Sequence, residues 1–375
     1  MKFISRSFLS ICFLFLFQFK PYAQDLSFPV QQQINELSKF ANSYLDAYSR
    51  DFSSNFGYSL NQGWGYGKQP GKLGSISLSL ITSSAFIPKG EHYMNTSELY
   101  KPTFITTSPT ASTLFSKNVD SWMRYYVLNP ETGERLTDPR NGDEISGQFD
   151  LLDGLGIERG YTPYALPQLN VGIGLGTEVS VRALPIHLQA NDGDDVRLFA
   201  FGMGIRHDLS QHLALLRLSP IKWNILLSYT KQSTKYKPSL GHDFLNTNNE
   251  YFTSRSSGLE AQYATNSYQA VLTGLYKAPK FISLSAQLGI IRQTGILKGL
   301  GHWSFQFDPE LVDVDQFYVE VNDPIHISHG KTVPLIGASM LLGQGFFQTE
   351  LQYAYANVHL MSLAFRFNLF NGVGL

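Results

Sequence analysis

The stretch PQLNVGIGLGTEVSVRALP, Pro167 to Pro185, decides between two folds. Its core, GIGLG, looks like a glycine-rich phosphate loop. A dinucleotide fingerprint is G-x-G-x-x-G with a helix starting inside it, so that backbone N–H groups and the helix dipole meet the phosphate. Here the spacing is G-x-G-x-G, and TEVSVR follows in strand alternation. Leu169, Val171, Ile173 and Leu175 alternate with Asn170, Gly172, Gly174 and Gly176. Val179, Val181 and Ala183 then alternate with Glu178, Ser180 and Arg182. Period two on both sides of a Gly176-Thr177 turn reads as a β-hairpin, with Gly172 and Gly174 leaving room on a crowded inner face.

The same period recurs along the chain. Ile76, Leu78 and Leu80 alternate with serines, and Phe199, Phe201, Met203 and Ile205 with small residues and Arg206. Trp223, Ile225, Leu227 and Tyr229 share a face, as do Ile282, Leu284, Ala286, Leu288 and Ile290. So do Phe347, Leu351, Tyr353 and Tyr355, and then Met361, Leu363, Phe365, Phe367 and Leu369. Half-buried strands of a soluble sandwich alternate too. The polar partners separate the cases. They are mostly Ser, Gly, Ala, Gln and Asn, where a water-facing sheet carries more Lys, Glu and Thr. A face closing on a confined polar interior is free to be small and uncharged.

Connection lengths give an independent argument. Ten strand segments stand out, at about 73–87, 166–176, 178–190, 196–208, 221–234, 258–277, 280–297, 332–343, 346–356 and 358–370. With both barrel ends periplasmic, the long connections 88–165, 235–257 and 298–331 all fall outside. Gly176-Thr177, 209–220, Ala278-Pro279 and Gly343-Gln344-Gly345 fall inside. Short turns on one side and long loops on the other are the asymmetry of outer-membrane barrels. Within 88–165, PTFITT (102–107) and WMRYYVL (122–128) could add a strand pair, so the count is 10, 12 or 14. The expected fold is all-β, an antiparallel transmembrane β-barrel over residues 73–370.

Composition agrees. Net charge is -1, from 29 basic and 30 acidic residues, which gives no electrostatic case for nucleic acid. Charged residues are sparse at 16% and aromatics high at 14%, with 32 Gly. The hydrophobic fraction is 43%, yet mean hydropathy is only -0.12, so apolar and polar residues mix at short range. Lys2 and Arg6, then an apolar run Phe8–Phe19 and Ala23 before Gln24, read as a signal peptide over residues 1–23. The only cysteine, Cys12, lies inside it, so the exported chain has neither disulfides nor a cysteine nucleophile. Residues 24–72 read as a plug. Ile34, Leu37, Phe40, Tyr44 and Tyr48 recur at helical spacing, and NQGWGYGKQPGKLG is loop chemistry.

The order of these pieces, above all PQLNVGIGLGTEVSVRALP and GIRHDLSQH, resembles an uncharacterised outer-membrane β-barrel family of Bacteroidota-type bacteria. A helical segment ahead of a barrel is also remotely similar to the long-chain fatty-acid transporters of outer membranes. That resemblance implies a plugged lumen and concerns architecture alone.

Candidate chemistry is thin outside the lumen. His326 and His329 lack a third strong ligand at a familiar distance, NDGDD (191–195) reads as a hairpin turn, and no G-x-S-x-G occurs. No catalytic residue, metal or other cofactor is expected. Glu178, Ser180, Arg182, Arg206, Glu260, Gln262, Glu350, Gln352, Arg366 and Asn368 are expected to point inward. They would line a passage or hold the plug. Alternatively, they brace a barrel with no traffic. The expected partners are outer-membrane lipid and a small hydrophobic ligand, and the sequence names no protein partner. The expected function is passive or gated passage of a small hydrophobic or amphipathic compound across the outer membrane. The alternative is a structural or interaction barrel of an envelope assembly.

Overall fold

Alternating segments of this kind zip antiparallel, because each buries one face and satisfies its backbone only through a neighbour. The computed structural model describes residues 28–372, apart from 89, 91, 115, 117–118, 127, 129–131, 136, 138–140, 145, 152–160, 190–194, 213, 238–251, 279–280, 308–317 and 324. The expected signal peptide, most of NDGDD and Pro279 therefore lie outside the described residues. In chain order, helix α1 (Phe28–Ser59) precedes β1 (Ile76–Phe86). Five short strands follow: β2 (Tyr93–Asn95), β3 (Ile105–Thr107), β4 (Thr110–Ser112), β5 (Trp122–Tyr126) and β6 (Ser146–Asp150). Next come β7 (Tyr161–Gly174), β8 (Thr177–Gln189), β9 (Asp195–Asp208), α2 (Ala214–Leu218), β10 (Ile221–Lys237) and β11 (Phe252–Lys277). The chain ends with β12 (Ile282–Phe307), β13 (Tyr318–Asn322), β14 (Ile325–Leu342), β15 (Phe347–Ala356) and β16 (Val358–Phe370).

Ten strands close a barrel in the order β11-β10-β9-β8-β7-β1-β16-β15-β14-β12, with β12 pairing back to β11. β1 sits between β7 and β16, so the two ends of the barrel sequence seal it. The count is ten, at the low end of the expected range. PTFITT and WMRYYVL do form strands, and Ile105 pairs with Tyr125, but β3, β5 and β6 make a separate three-stranded sheet. At three to five residues they are too short to span a bilayer, which takes roughly 9–11.

The outward set is the apolar one. Leu80, Leu169, Ile205, Leu227, Leu288 and Ile336 are exposed around the wall. Aromatic rings bound this belt, with Tyr229, Tyr268 and Tyr355 toward the long loops and Tyr276, Phe281 and Phe347 toward the short turns. Such girdles mark the two membrane interfaces. Gly172 and Gly174 fall on the inner face as expected, but the hairpin turn is Leu175-Gly176, one residue earlier than Gly176-Thr177. Leu175 (φ 50) and Gly176 (φ 65) both adopt positive φ, the signature of a two-residue turn matched to strand twist. A bulge between Gly172 and Gly174 absorbs the offset.

Helix α1 runs inward from the long-loop end. Phe40, Tyr44 and Tyr48 are buried against Met94, Leu99, Phe104, Ile105 and Met123 of the first loop and Ile325 and Ile327 of β14. Further along, Phe56 meets Tyr164 edge-on at 5.7 Å, and Ser83 Oγ donates to Ser59 O at 2.9 Å. The 32-residue helix is about 48 Å long at 1.5 Å per residue. It therefore links the loop roof to the interior.

Candidate functional site

Below α1 the chain crosses the lumen as Ser59–Gly71, SLNQGWGYGKQPG, before turning into β1. Glycine and proline keep this segment irregular, so its backbone groups need partners from elsewhere. The inner faces of the strands supply them. Arg182 donates to Leu60 O at 2.9 Å and Gln62 O at 2.7 Å, and its Nε donates to Gln168 Oε1 at 2.6 Å. Its guanidinium lies 3.5 Å from the Trp64 ring centre, a desolvated cation–π contact. Gly63 N donates to Gln352 Oε1 at 3.0 Å, Gly67 N to Glu350 Oε1 at 2.7 Å and Gly71 N to Glu178 Oε2 at 2.9 Å. Asn61 bridges Ser267 and Thr230 at 2.6 and 3.1 Å, and Gln269 donates to the Tyr66 hydroxyl. The contacts to the cork come from β8, β10, β11 and β15, so it is held from several sides.

Two glycines show how tight the fit is. Gly65 (φ 85) lies so close to Arg366 and Arg206 that a side chain would strike their guanidinium groups. A Cβ on Gly172 would collide with Lys72 O and Ser75 Oγ. The chain returns against the hairpin there, through Gly74 N to Gly172 O at 2.8 Å and Gly172 N to Ser75 O at 2.9 Å.

Charge is concentrated on the wall around the cork. Arg206 pairs with Glu178 at 2.6 Å, Lys68 with Glu178 at 3.7 Å, and Arg366 with Glu350 at 3.8 Å. Among the described residues, Lys68, Arg182, Arg206 and Arg366 thus face two buried carboxylates, Glu178 and Glu350. Burial pulls the Lys68 ammonium down to about 8, Arg366 adds to the drop and Glu178 opposes it.

Glu178, Ser180, Arg182, Arg206, Glu350, Gln352 and Arg366 are all buried on the inner face. Asn368 keeps the inward parity but sits at the short-turn rim, where its amide reaches Gly345 O. Glu260 and Gln262 do not point inward. Unbroken pairing from Glu260 to Lys277 fixes the even residues of β11 on the outer face with Tyr268 and Leu272. Glu260 there meets Lys237 at 3.1 Å and Lys235 at 3.6 Å. Phe40, Tyr44 and Tyr48 pack under the roof, while the Ile34 and Leu37 side chains lie outside the described residues. Gln168, Asn170, Thr230, Ser267 and Gln269 also belong to the site. Their signal was available, since each shares strand parity with a polar inner neighbour.

His326 is exposed, and His329 lies 3.9 Å from Asp46 of α1. No group of three metal-ligating side chains occurs among the described residues. On the outer wall, Thr82, Ser84, Pro163, Ala165, Met361 and Leu363 line an apolar groove of about 590 Å³.

The sequence matches a family of unknown function, DUF6588, over residues 1–369. The chain belongs to this family. No curated protein matches it in sequence. Among solved structures, this family member is similar to the translocator domain of the autotransporter NalP from Neisseria meningitidis, at 11% identity and a TM-score of 0.29, covering 87% of this chain and 96% of that one. It is similar to the outer membrane protease OmpT from Escherichia coli at 8% identity and 0.28, covering 79% and 95%. A Pseudomonas aeruginosa FadL homologue matches at 7% identity and 0.22, covering 79% and 91%.

Proposed function

We propose that this protein is an outer-membrane barrel that passes a small hydrophobic or amphipathic compound, with Ser59–Gly71 as its movable closure. One observation carries the reading: the lumen is closed by side-chain hydrogen bonds to an irregular segment. Each such bond contributes about 0.5–1.5 kcal/mol net, or roughly 1.5–3 with a charged partner. They can be exchanged in groups while the wall stays paired. The test is single-channel conductance and liposome swelling of the full chain and of Arg182→Gln. The wild type should be nearly silent and the variant should conduct. Silence in both would remove the passage reading.

A second reading has its own support. The first loop forms two small sheets that pack on α1, giving a built roof. A barrel that serves as an interaction platform would need such a roof and no traffic. Binding of an envelope component by a permanently silent barrel would favour it.

A further inference from the structure

The geometry points to a lateral portal between β7 and β8, through which an apolar chain reaches the upper lumen from the outer leaflet. This rests on the passage reading and names the ligand's route and chemistry. Pairing of β7 with β8 runs from Gly174↔Thr177 only as far as Gln168↔Arg182. Beyond it, residues 161–167 of β7 pair only with β1, and residues 183–189 of β8 pair only with β9. The wall is therefore unzipped for about seven residues on the long-loop side, roughly 23 Å of strand at 3.3 Å per residue.

Three prolines keep the strands apart. The Gly172 N–H points to the β1 side, toward Ser75 O. N–H direction alternates along an antiparallel strand, so the odd positions of β7 above it, Pro163 and Pro167 included, face β8. Continuing the register, Pro185 opposes Ala165, and its position also faces across the seam. Each proline lacks the donor a ladder would need there, while the ladders to β1 and β9 stay intact. The same prolines discourage a foreign strand from filling the gap.

The lumen behind the seam is apolar. Inner-face parity on β8 passes from Glu178, Ser180 and Arg182 to Leu184, Ile186 and Leu188, and on β9 from Arg206 to Leu198 and Val196. Leu188 is 59% exposed although it lies on the inner side. The principal contacts of α1 fall on β1, β7, β11, β12, β14 and β16, which leaves β8 and β9 less covered. On β7 the inward Tyr164 ring is covered by Phe56 of α1, which meets it edge-on at 5.7 Å, so the uncovered inner surface is that of β8 and β9. A single-chain apolar molecule fits this aliphatic surface, and a hydrated sugar or ion does not.

The test uses the full chain in phosphatidylcholine vesicles containing a photoreactive alkyl diazirine. Labelling should reach the inner-face residues Ile186 and Leu188 and spare Leu226, which is inward on a fully paired strand. Bridging Leu166→Cys/Leu184→Cys across the seam should abolish that inner labelling. The Ala183→Cys/Phe201→Cys bridge, across the paired β8–β9 ladder, should not. Replacing Pro163, Pro167 and Pro185 by Thr restores the donors and should lower inner labelling several-fold without a bridge. Inner labelling no stronger than at Leu226, or unchanged by both the seam bridge and the threonine variant, would overturn the portal. Seam-dependent labelling in a barrel that never conducts would keep the portal and remove the passage.

Discussion

At the short-turn end, the lumen is closed by Ser59–Gly71, held by arginine, glutamate and glutamine side chains of the wall. At the long-loop end α1 and the roof fill the side of the lumen lined by β1, β11, β12 and β14, held by stacked rings such as Tyr44–Tyr48 at 6.1 Å and by aliphatic packing. The difference matters because the two chemistries fail differently. Apolar packing is non-directional and tolerates sliding. A buried charge network depends on each partner, and loss of one leaves another uncompensated.

The sharpest way to break the comparison is Glu178→Gln, which leaves Arg206 buried without its carboxylate. A loss of about 4 kcal/mol is expected from breaking a buried pair, read as a lower unfolding midpoint and as spontaneous conductance. Tyr44→Ala in the roof should cost about 3 kcal/mol by cavity formation. It should loosen proteolytic protection of the first loop and leave the barrel silent. Conductance from Tyr44→Ala would merge the two closures into one. Gly172→Ala should cost about 2 kcal/mol through overpacking, since the added methyl meets the Lys72 carbonyl, and its effect should appear as slow loosening of residues 71–75.

A titration sharpens the contrast further. The folded Lys68 value, about 8, lies below its ordinary 10.5. Between these values the unfolded chain binds more protons, so cork stability should rise with pH there and fall as pH drops through 8. Protease protection of the cork should follow that trend in wild type and become flat in Lys68→Met. The smallest effect belongs to the outer surface. Lys237→Ala breaks an exposed pair with Glu260 and should shift stability by less than about 1 kcal/mol, leaving conductance unchanged.

Strand positions and the barrel were legible because period two and loop asymmetry are local signals. The inner polar face was legible on β8, β9, β15 and β16 for the same reason. Glu260 and Gln262 were not, because they lie on an extension of β11 whose parity is set by pairing with β12 rather than by an apolar belt. The turn at Leu175-Gly176 was displaced by a bulge, which no alternation pattern announces. The cork was visible as a glycine-rich segment, but its partners were not. Asn61 and Ser267 are 206 residues apart, and Gly63 and Gln352 are 289 apart. Only closure of the barrel brings such pairs together. The direction of α1, with Phe40, Tyr44 and Tyr48 of its middle turns under the roof, depends equally on tertiary packing.

The central claim is that Ser59–Gly71 closes the lumen by reversible polar contacts. The most direct measurement is conductance in mild urea of wild type and of an Asn61→Cys/Ser267→Cys disulfide form, whose native side chains already meet at 2.6 Å. Wild type should open in urea and close on dilution, while the oxidised variant stays silent until it is reduced. Equal conductance from the oxidised variant and wild type would contradict the account.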